Sequence, residues 1–162
     1  MDVVYVGVIG GRRCGEEIAE LAFQVGSLIA EQGWTLVCGG MGGVMEHACR
    51  GARSKNGVTL GILPGNSRES ANPYLSYSVV TGLGEARNVL VVKSCRGIIA
   101  ISGSYGTLSE IALANAAGIP VVGLRSWHLD ADRNRGQSLF VHEADSPIEA
   151  IQIVKSLISG SV

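Results

Sequence analysis

A single α/β domain of the Rossmann-like, doubly wound type, with one parallel sheet covered by helices on both faces, is predicted by three features of this sequence. Apolar runs of strand length alternate with helix-period segments along the chain. Those runs are apolar at consecutive positions, as in strands buried on both sides. Several end in glycine-rich turns that hand a strand over to a helix. The 162 residues suffice for one such domain, residues 1–162, with no linker.

The elements follow in order. VVYVGVIG (3–10) is a β-branched run closed by glycines, and the segment near 15–32 carries helical spacing. TLVCG (35–39) is a second strand, followed by a helix near 43–55, and VTLGILP (58–64) is a third strand stopped by proline. SVVTG (78–82) is a fourth, before one helix near 84–95. GIIAIS (97–102), a helix near 107–117, PVVGL (120–124) and a last helix near 146–159 complete the chain.

Composition narrows the function. Hydrophobic residues make up 46% and charged residues 17%, a surplus that predicts a subunit interface. No apolar run reaches the roughly 18 residues of a transmembrane helix, so no membrane span is expected. A net charge of -1 supplies no long-range attraction to nucleic acid or anionic membrane. The start, MDVVYV, has an acid where a secretory signal has basic residues, and a cytoplasmic location is expected. Cys14, Cys38, Cys49 and Cys95 are scattered without partnering histidines, which predicts buried thiols. No two of His47, His128 and His142 are spaced for one helix face, so no metal site is expected.

Three glycine loops fall on the carboxyl edge of the predicted sheet: IGGRRCG (9–15), CGGMGGVME (38–46) and SGSYGT (102–107). Together they indicate a small phosphorylated ligand; tight strand-to-helix turns are the structural alternative. The dinucleotide fingerprint, the P-loop and the hydrolase nucleophile elbow are all unmatched, which removes NAD, nucleoside triphosphate hydrolysis and Ser-hydrolase chemistry. ISGSYGTLSE (101–110) has two readings. Thr107 with Glu110 fits a capping box at a helix start, and the small residues Gly103, Ser104 and Gly106 fit a phosphate cradle. On the second reading a branched residue at Gly106 is expected to crowd the anion and to conflict with the backbone dihedrals.

GGMGGVME, TGLGEARN and SGSYGTLSE resemble the motif set of LONELY GUY (LOG) proteins, often misnamed lysine decarboxylases, and of the related molybdenum cofactor carrier proteins. The similarity runs from IGG at 9–11 to PVVGL, and NPYLSYSVVTGLGEARNVLVV (72–92) is closer to the carrier-like branch. The LOG signature P-G-G-x-G-T-x-x-E falls on residues 102–110. Ser102 stands for its proline and Ser104 for a glycine, Asn88 for the lysine after the family arginine, and Glu46 for the glycine of G-L-M-G.

The resemblance implies a catalytic pair, Arg87 and Glu110. It also implies a ligand- and phosphate-binding set of Gly10, Gly11, Gly40, Gly42, Gly43, Asn88, Gly103, Ser104, Tyr105, Gly106 and Thr107. The expected function is that of a binding or carrier protein for a phosphorylated nucleotide or pterin such as the molybdenum cofactor, with no further cofactor required. The alternative is a phosphoribohydrolase that splits a nucleoside 5′-monophosphate into free base and ribose 5-phosphate. A carboxylate at Glu110 suits that reaction, because breaking an N-glycosidic bond builds positive charge on the ribose. Arg87 suits anion holding; the alternatives for it are a solvated helix residue or a partner of Glu85. The helix near 107–117 is apolar nearly all round, which predicts a homodimer or homotetramer. WHLDADRNRGQS (127–138) reads as a surface loop or a lid.

Overall fold

The computed structural model describes residues 3–129 and 140–160. Its sheet has seven strands: β1 (Tyr5–Gly10), β2 (Thr35–Cys38), β3 (Thr59–Leu63), β4 (Tyr77–Val80), β5 (Gly97–Ile101), β6 (Val121–Leu124) and β7 (His142–Ala144). They lie in the order β4-β3-β2-β1-β5-β6-β7, with parallel pairing throughout. The chain winds outward from β1 through β4, then returns to place β5 on the other side of β1. The strand order therefore reverses between β1 and β5, and a doubly wound sheet opens its ligand crevice at such a point.

Alternation along the strands divides the core in two. Val6 and Val8 of β1, Leu36 and Cys38 of β2, and Ile99 and Ile101 of β5 point to one face, which α1 (Glu16–Glu31), α2 (Val44–Ser54) and α5 (Pro147–Ser159) cover. Ile9, Val37, Ile98 and Ala100 point to the other, covered by α3 (Asn88–Lys93) and α4 (Tyr105–Ala116). Strands buried on both sides read as continuous apolar runs for this reason. Helices α1 and α2 touch backbone to backbone. An added Cβ on Gly26 would lie 1.9 Å from the Ala48 carbonyl oxygen, and one on Gly51 1.9 Å from that of Phe23.

Four expectations need correction. The single helix near 84–95 is a 3₁₀ turn, Gly84–Arg87, followed by the short α3, because Gly82 and Gly84 at φ +65° and +58° break the lead-in. The fourth strand lies at 77–80 rather than 78–82. Strand β7, within the polar stretch VHEAD, was not expected; its only buried residue is Ala144, and pairing with β6 creates it. Helix α4 starts at Tyr105, two residues before the predicted 107.

Cys38, Cys49 and Cys95 are buried, Cys14 is half-buried, and all four are free thiols. No helix among the described residues is long and apolar enough to cross a membrane. On α4, Ile111 and Ala114 face the core while Ala112 and Ala116 are exposed. Residues 130–138 of the 127–138 loop lie outside the described residues.

Candidate functional site

A cavity of about 590 Å³ opens at the carboxyl ends of β1 and β2, beside the reversal of strand order. It falls in the size range of small-molecule sites. Val8, Ile9 and Gly10 of β1, with Met41 and Met45, give it an apolar wall. Ser104, the residue before α4, with Tyr105 to Thr107, Ser109 and Glu110 of α4, gives the polar one, and Arg12, Gly39, Glu85, Arg87 and Asn88 complete it.

The two residues singled out as a pair do meet. Arg87 and Glu110 are 5% and 7% exposed, and Arg87 Nη1 lies 3.9 Å from Glu110 Oε1. That distance makes an ion pair and is too long for a hydrogen bond. Nη1 donates instead to Asn88 Oδ1 at 2.8 Å. Asn88 Nδ2 in turn donates to Ser109 Oγ at 3.4 Å, and Ser109 Oγ to the Gly106 carbonyl at 2.7 Å. The guanidinium is thus tied to the first turns of α4 while Arg87 Nε, also buried, has no hydrogen-bond partner. A buried charged donor without an acceptor is costly, and that cost is borne in the cavity wall, where the charge of the guanidinium suits an anionic ligand.

Gly39, absent from the predicted set, makes room for this arginine. A Cβ there would fall 2.6 and 2.7 Å from Nη1 and Nη2. Burial pushes the Arg87 pKa down, and the Glu110 and Glu85 carboxylates oppose that.

Burial also pushes Glu110 up to about 7, against the pull of Arg87 and with a push from Glu85. Between its ordinary 4.5 and about 7 the folded chain holds a proton that the unfolded chain has released. This group's stability contribution is therefore full below about pH 4.5 and lost as pH rises to about 7, a change of roughly 3 kcal/mol at most. Urea midpoints across that window are expected to fall with rising pH in the wild type, and Glu110→Gln is expected to flatten the trend. A slope unaltered by Glu110→Gln would assign the pH dependence to other groups.

The capping expectation fails in an informative way. Ser104 is the N-cap of α4, and its N–H donates to Thr107 Oγ1 at 3.4 Å. The capping pair is Ser104 and Thr107, one turn earlier than predicted, which leaves Glu110 free of any capping role. The N–H groups of Tyr105 and Gly106 sit in the first turn, where a helix offers no internal acceptor, beside the cavity. Gly106 lies inside the helix, and nothing stands within 4 Å of an added Cβ, so the expected dihedral conflict there is overturned. The unusual backbone sits upstream, at Gly103 with φ +127°, which glycine adopts freely, and at Ser102 with φ +50°, in the left-handed region that a side chain disfavours. Proline, fixed near φ -65°, cannot adopt the Ser102 conformation.

Gly10, Asn88, Ser104, Tyr105, Gly106 and Thr107 of the predicted binding set line the cavity; Gly11, Gly40, Gly42, Gly43 and Gly103 do not. Gly43, at φ +62°, lets the β2–α2 loop pack on the β1–α1 loop, where a Cβ would meet the Gly11 carbonyl at 2.3 Å. Gly40 packs on Gly61 and Leu63. Besides Gly39, sequence reasoning missed Arg12, Met41, Met45, Glu85 and Ser109. Arg12 and Glu85 form an exposed ion pair of 3.1 Å at the rim, and their positions inside IGGRR and GEARN were the available signal. Among the described residues no three His, Cys, Asp or Glu side chains gather as a metal site.

Residues 3–152 match the family model described as the SLOG cluster4 family. The molybdenum cofactor binding protein of Rippkaea orientalis is 38% identical, with a TM-score of 0.88 over 98% of this chain and 99% of that one. The molybdenum cofactor carrier protein of Chlamydomonas reinhardtii is 33% identical, with a TM-score of 0.83 over 96% and 99%. A cytokinin riboside 5′-monophosphate phosphoribohydrolase of Mycobacterium tuberculosis is 34% identical over 128 residues, which span 72% of this chain and 68% of that protein.

Proposed function

We propose that this chain, which belongs to the SLOG cluster4 family, binds a phosphorylated nucleotide or pterin of the molybdenum cofactor type in the β1–α4 cavity and acts as its carrier. The observation that carries this reading is the buried guanidinium of Arg87 in the wall of the cavity, held by Asn88. It presents a fixed cation to an anion, while Ser104, Gly106 and Thr107 bring the N-terminal turn of α4 to the same space. The apolar wall of Val8, Ile9, Met41 and Met45 suits a planar ring system. A carried molybdenum cofactor is cargo here, recognised through its phosphate and its ring. Likeness to cofactor binding and carrier proteins over nearly the whole chain supports the carrier role. So does Ser102, whose backbone follows a path closed to the proline of the hydrolase signature. The proposal includes a homodimer or homotetramer, joined through the exposed Ala112 and Ala116 face of α4.

The second reading is phosphoribohydrolysis, favoured by the Arg87–Glu110 pair and by the mycobacterial relative. In it, water adds to C1′ of the ribose as the N-glycosidic bond breaks, and the base leaves with a proton. Glu110, with its pKa about 7, is suited to take the proton from water or, ionised, to face the developing positive charge.

Incubation with the common nucleoside 5′-monophosphates decides between the two. The carrier reading expects tight binding without free base. Release of base at a useful rate, abolished in Glu110→Gln with affinity retained, would establish the hydrolase instead.

A further inference from the structure

We propose that Arg12 is a second anion-holding residue of this cavity, a clamp at the rim that leaves Glu85 for the phosphate of the incoming ligand. The inference rests on the reading of the cavity as a phosphorylated-ligand site. Arg12 and Glu85 come from different elements of the lining, one from the β1–α1 loop and the other from the 3₁₀ turn that carries Arg87. The backbone under Arg12 is pinned. Val44 N–H donates to the Gly11 carbonyl at 3.0 Å, and Gly43 packs directly against the Arg12 backbone. Its side chain is not, being 57% exposed, with Glu85 Oε1 at 3.1 Å and Glu85 itself 74% exposed.

The two arginines of the cavity are therefore held in different ways. Arg87 is buried and tied to Asn88, so its position is set before any ligand arrives. Arg12 is held by an exposed ion pair, the kind that contributes least and exchanges partners most readily. A phosphate dianion in the cavity meets the Glu85 carboxylate, the Glu110 carboxyl and one buried cation, Arg87, and a second guanidinium turned toward it strengthens its hold. Once Arg12 turns from Glu85 to the phosphate, two guanidinium groups face the anion, each with the fork geometry that matches phosphate oxygens. Glu85 then serves as the resting partner of Arg12 in the free protein and as a repulsive group toward anions that Arg12 fails to reach.

The test is calorimetric titration of the full chain with the four common ribonucleoside 5′-monophosphates and a phosphorylated pterin, each beside its phosphate-free counterpart. Arg12→Ala is expected to weaken the phosphorylated probe at least about tenfold and to leave the phosphate-free one unchanged. Arg13→Ala supplies the control. It removes the same charge from the next residue, which is exposed and does not line the cavity, and it is expected to change affinity less than about twofold. Glu85→Gln is expected to tighten the phosphorylated probe, with a smaller gain in an Arg12→Ala background. Equal losses in Arg12→Ala and Arg13→Ala would reduce the effect to net charge and overturn the clamp. So would a loss in Arg12→Ala shared by the phosphate-free probe. A probe that Arg87→Ala releases and Arg12→Ala does not overturns the clamp and leaves the ligand reading standing. Failure of every phosphorylated probe to bind the wild type overturns the ligand reading, and the clamp with it.

Discussion

Arg87→Ala is expected to abolish measurable binding of phosphorylated ligands, raising Kd at least about a hundredfold, or some 2.7 kcal/mol. The guanidinium is the only buried cation lining the cavity among the described residues, and its bond to Asn88 holds it there. The fold is expected to tolerate the change, because Glu110 can keep its proton. Without the cation that lowers it, its pKa rises above about 7, and a neutral carboxyl is far less costly to bury. Arg87→Lys is expected to recover little, since an ammonium lacks the planar fork that lies against Gly39 and reaches Asn88. Calorimetry on a variant with a wild-type unfolding midpoint checks this; unchanged affinity would remove Arg87 from the site.

The largest effect on stability is expected at Gly26. An alanine there would drive its Cβ to 1.9 Å from the Ala48 carbonyl oxygen and 2.7 Å from the carbonyl carbon, both backbone atoms of α2. No rotamer change relieves a clash between a Cβ and a backbone, so α1 and α2 must separate and give up packing along their whole contact. Gly26→Ala is expected to cost at least about 3 kcal/mol, and to lower Tm by roughly 6–12 °C at this chain length. The β1–α1 and β2–α2 loops enter these two helices, so Arg12 and Gly39 would shift as well. A melting temperature within about 2 °C of the wild type would show that the helices have room to spare.

Much of the fold was legible because burial on both faces leaves a local trace. VVYVGVIG, TLVCG and GIIAIS announce central strands by themselves, and the helices between them show their period. β7 was not legible, since VHEAD contributes one buried residue and becomes a strand only by pairing with Val122 to Leu124. The short α3 was misread for a different reason: Gly82 and Gly84 take positive φ, which glycine adopts freely, and the segment they lead into closes first as a 3₁₀ turn.

The site divides along the same line. Residue type and spacing were enough to single out Glu110 and the SGSYGT loop, because charged and small residues at a strand-to-helix junction stand out from the apolar runs around them, while Arg87 and Asn88 were reached through the resemblance carried by TGLGEARN. Only the tertiary structure decided what those residues do. Capping passed to Ser104 and Thr107 because the chain turns into α4 through a positive φ at Ser102, a conformation that residue names do not disclose. Arg87 and Glu110, on separate elements, became neighbours because the 3₁₀ turn and α4 pack on one face of the sheet, and burial there shifted the carboxyl toward neutrality. Gly39 and Arg12 joined the cavity because β1 and β2 are adjacent and parallel, so that loops 27 residues apart by sequence number open on the same edge. The sequence by itself determined which groups with the needed chemistry exist and on which edge of the sheet they emerge; distance, burial and the unpaired donor of Arg87 are properties of packing, and packing is a property of the whole chain.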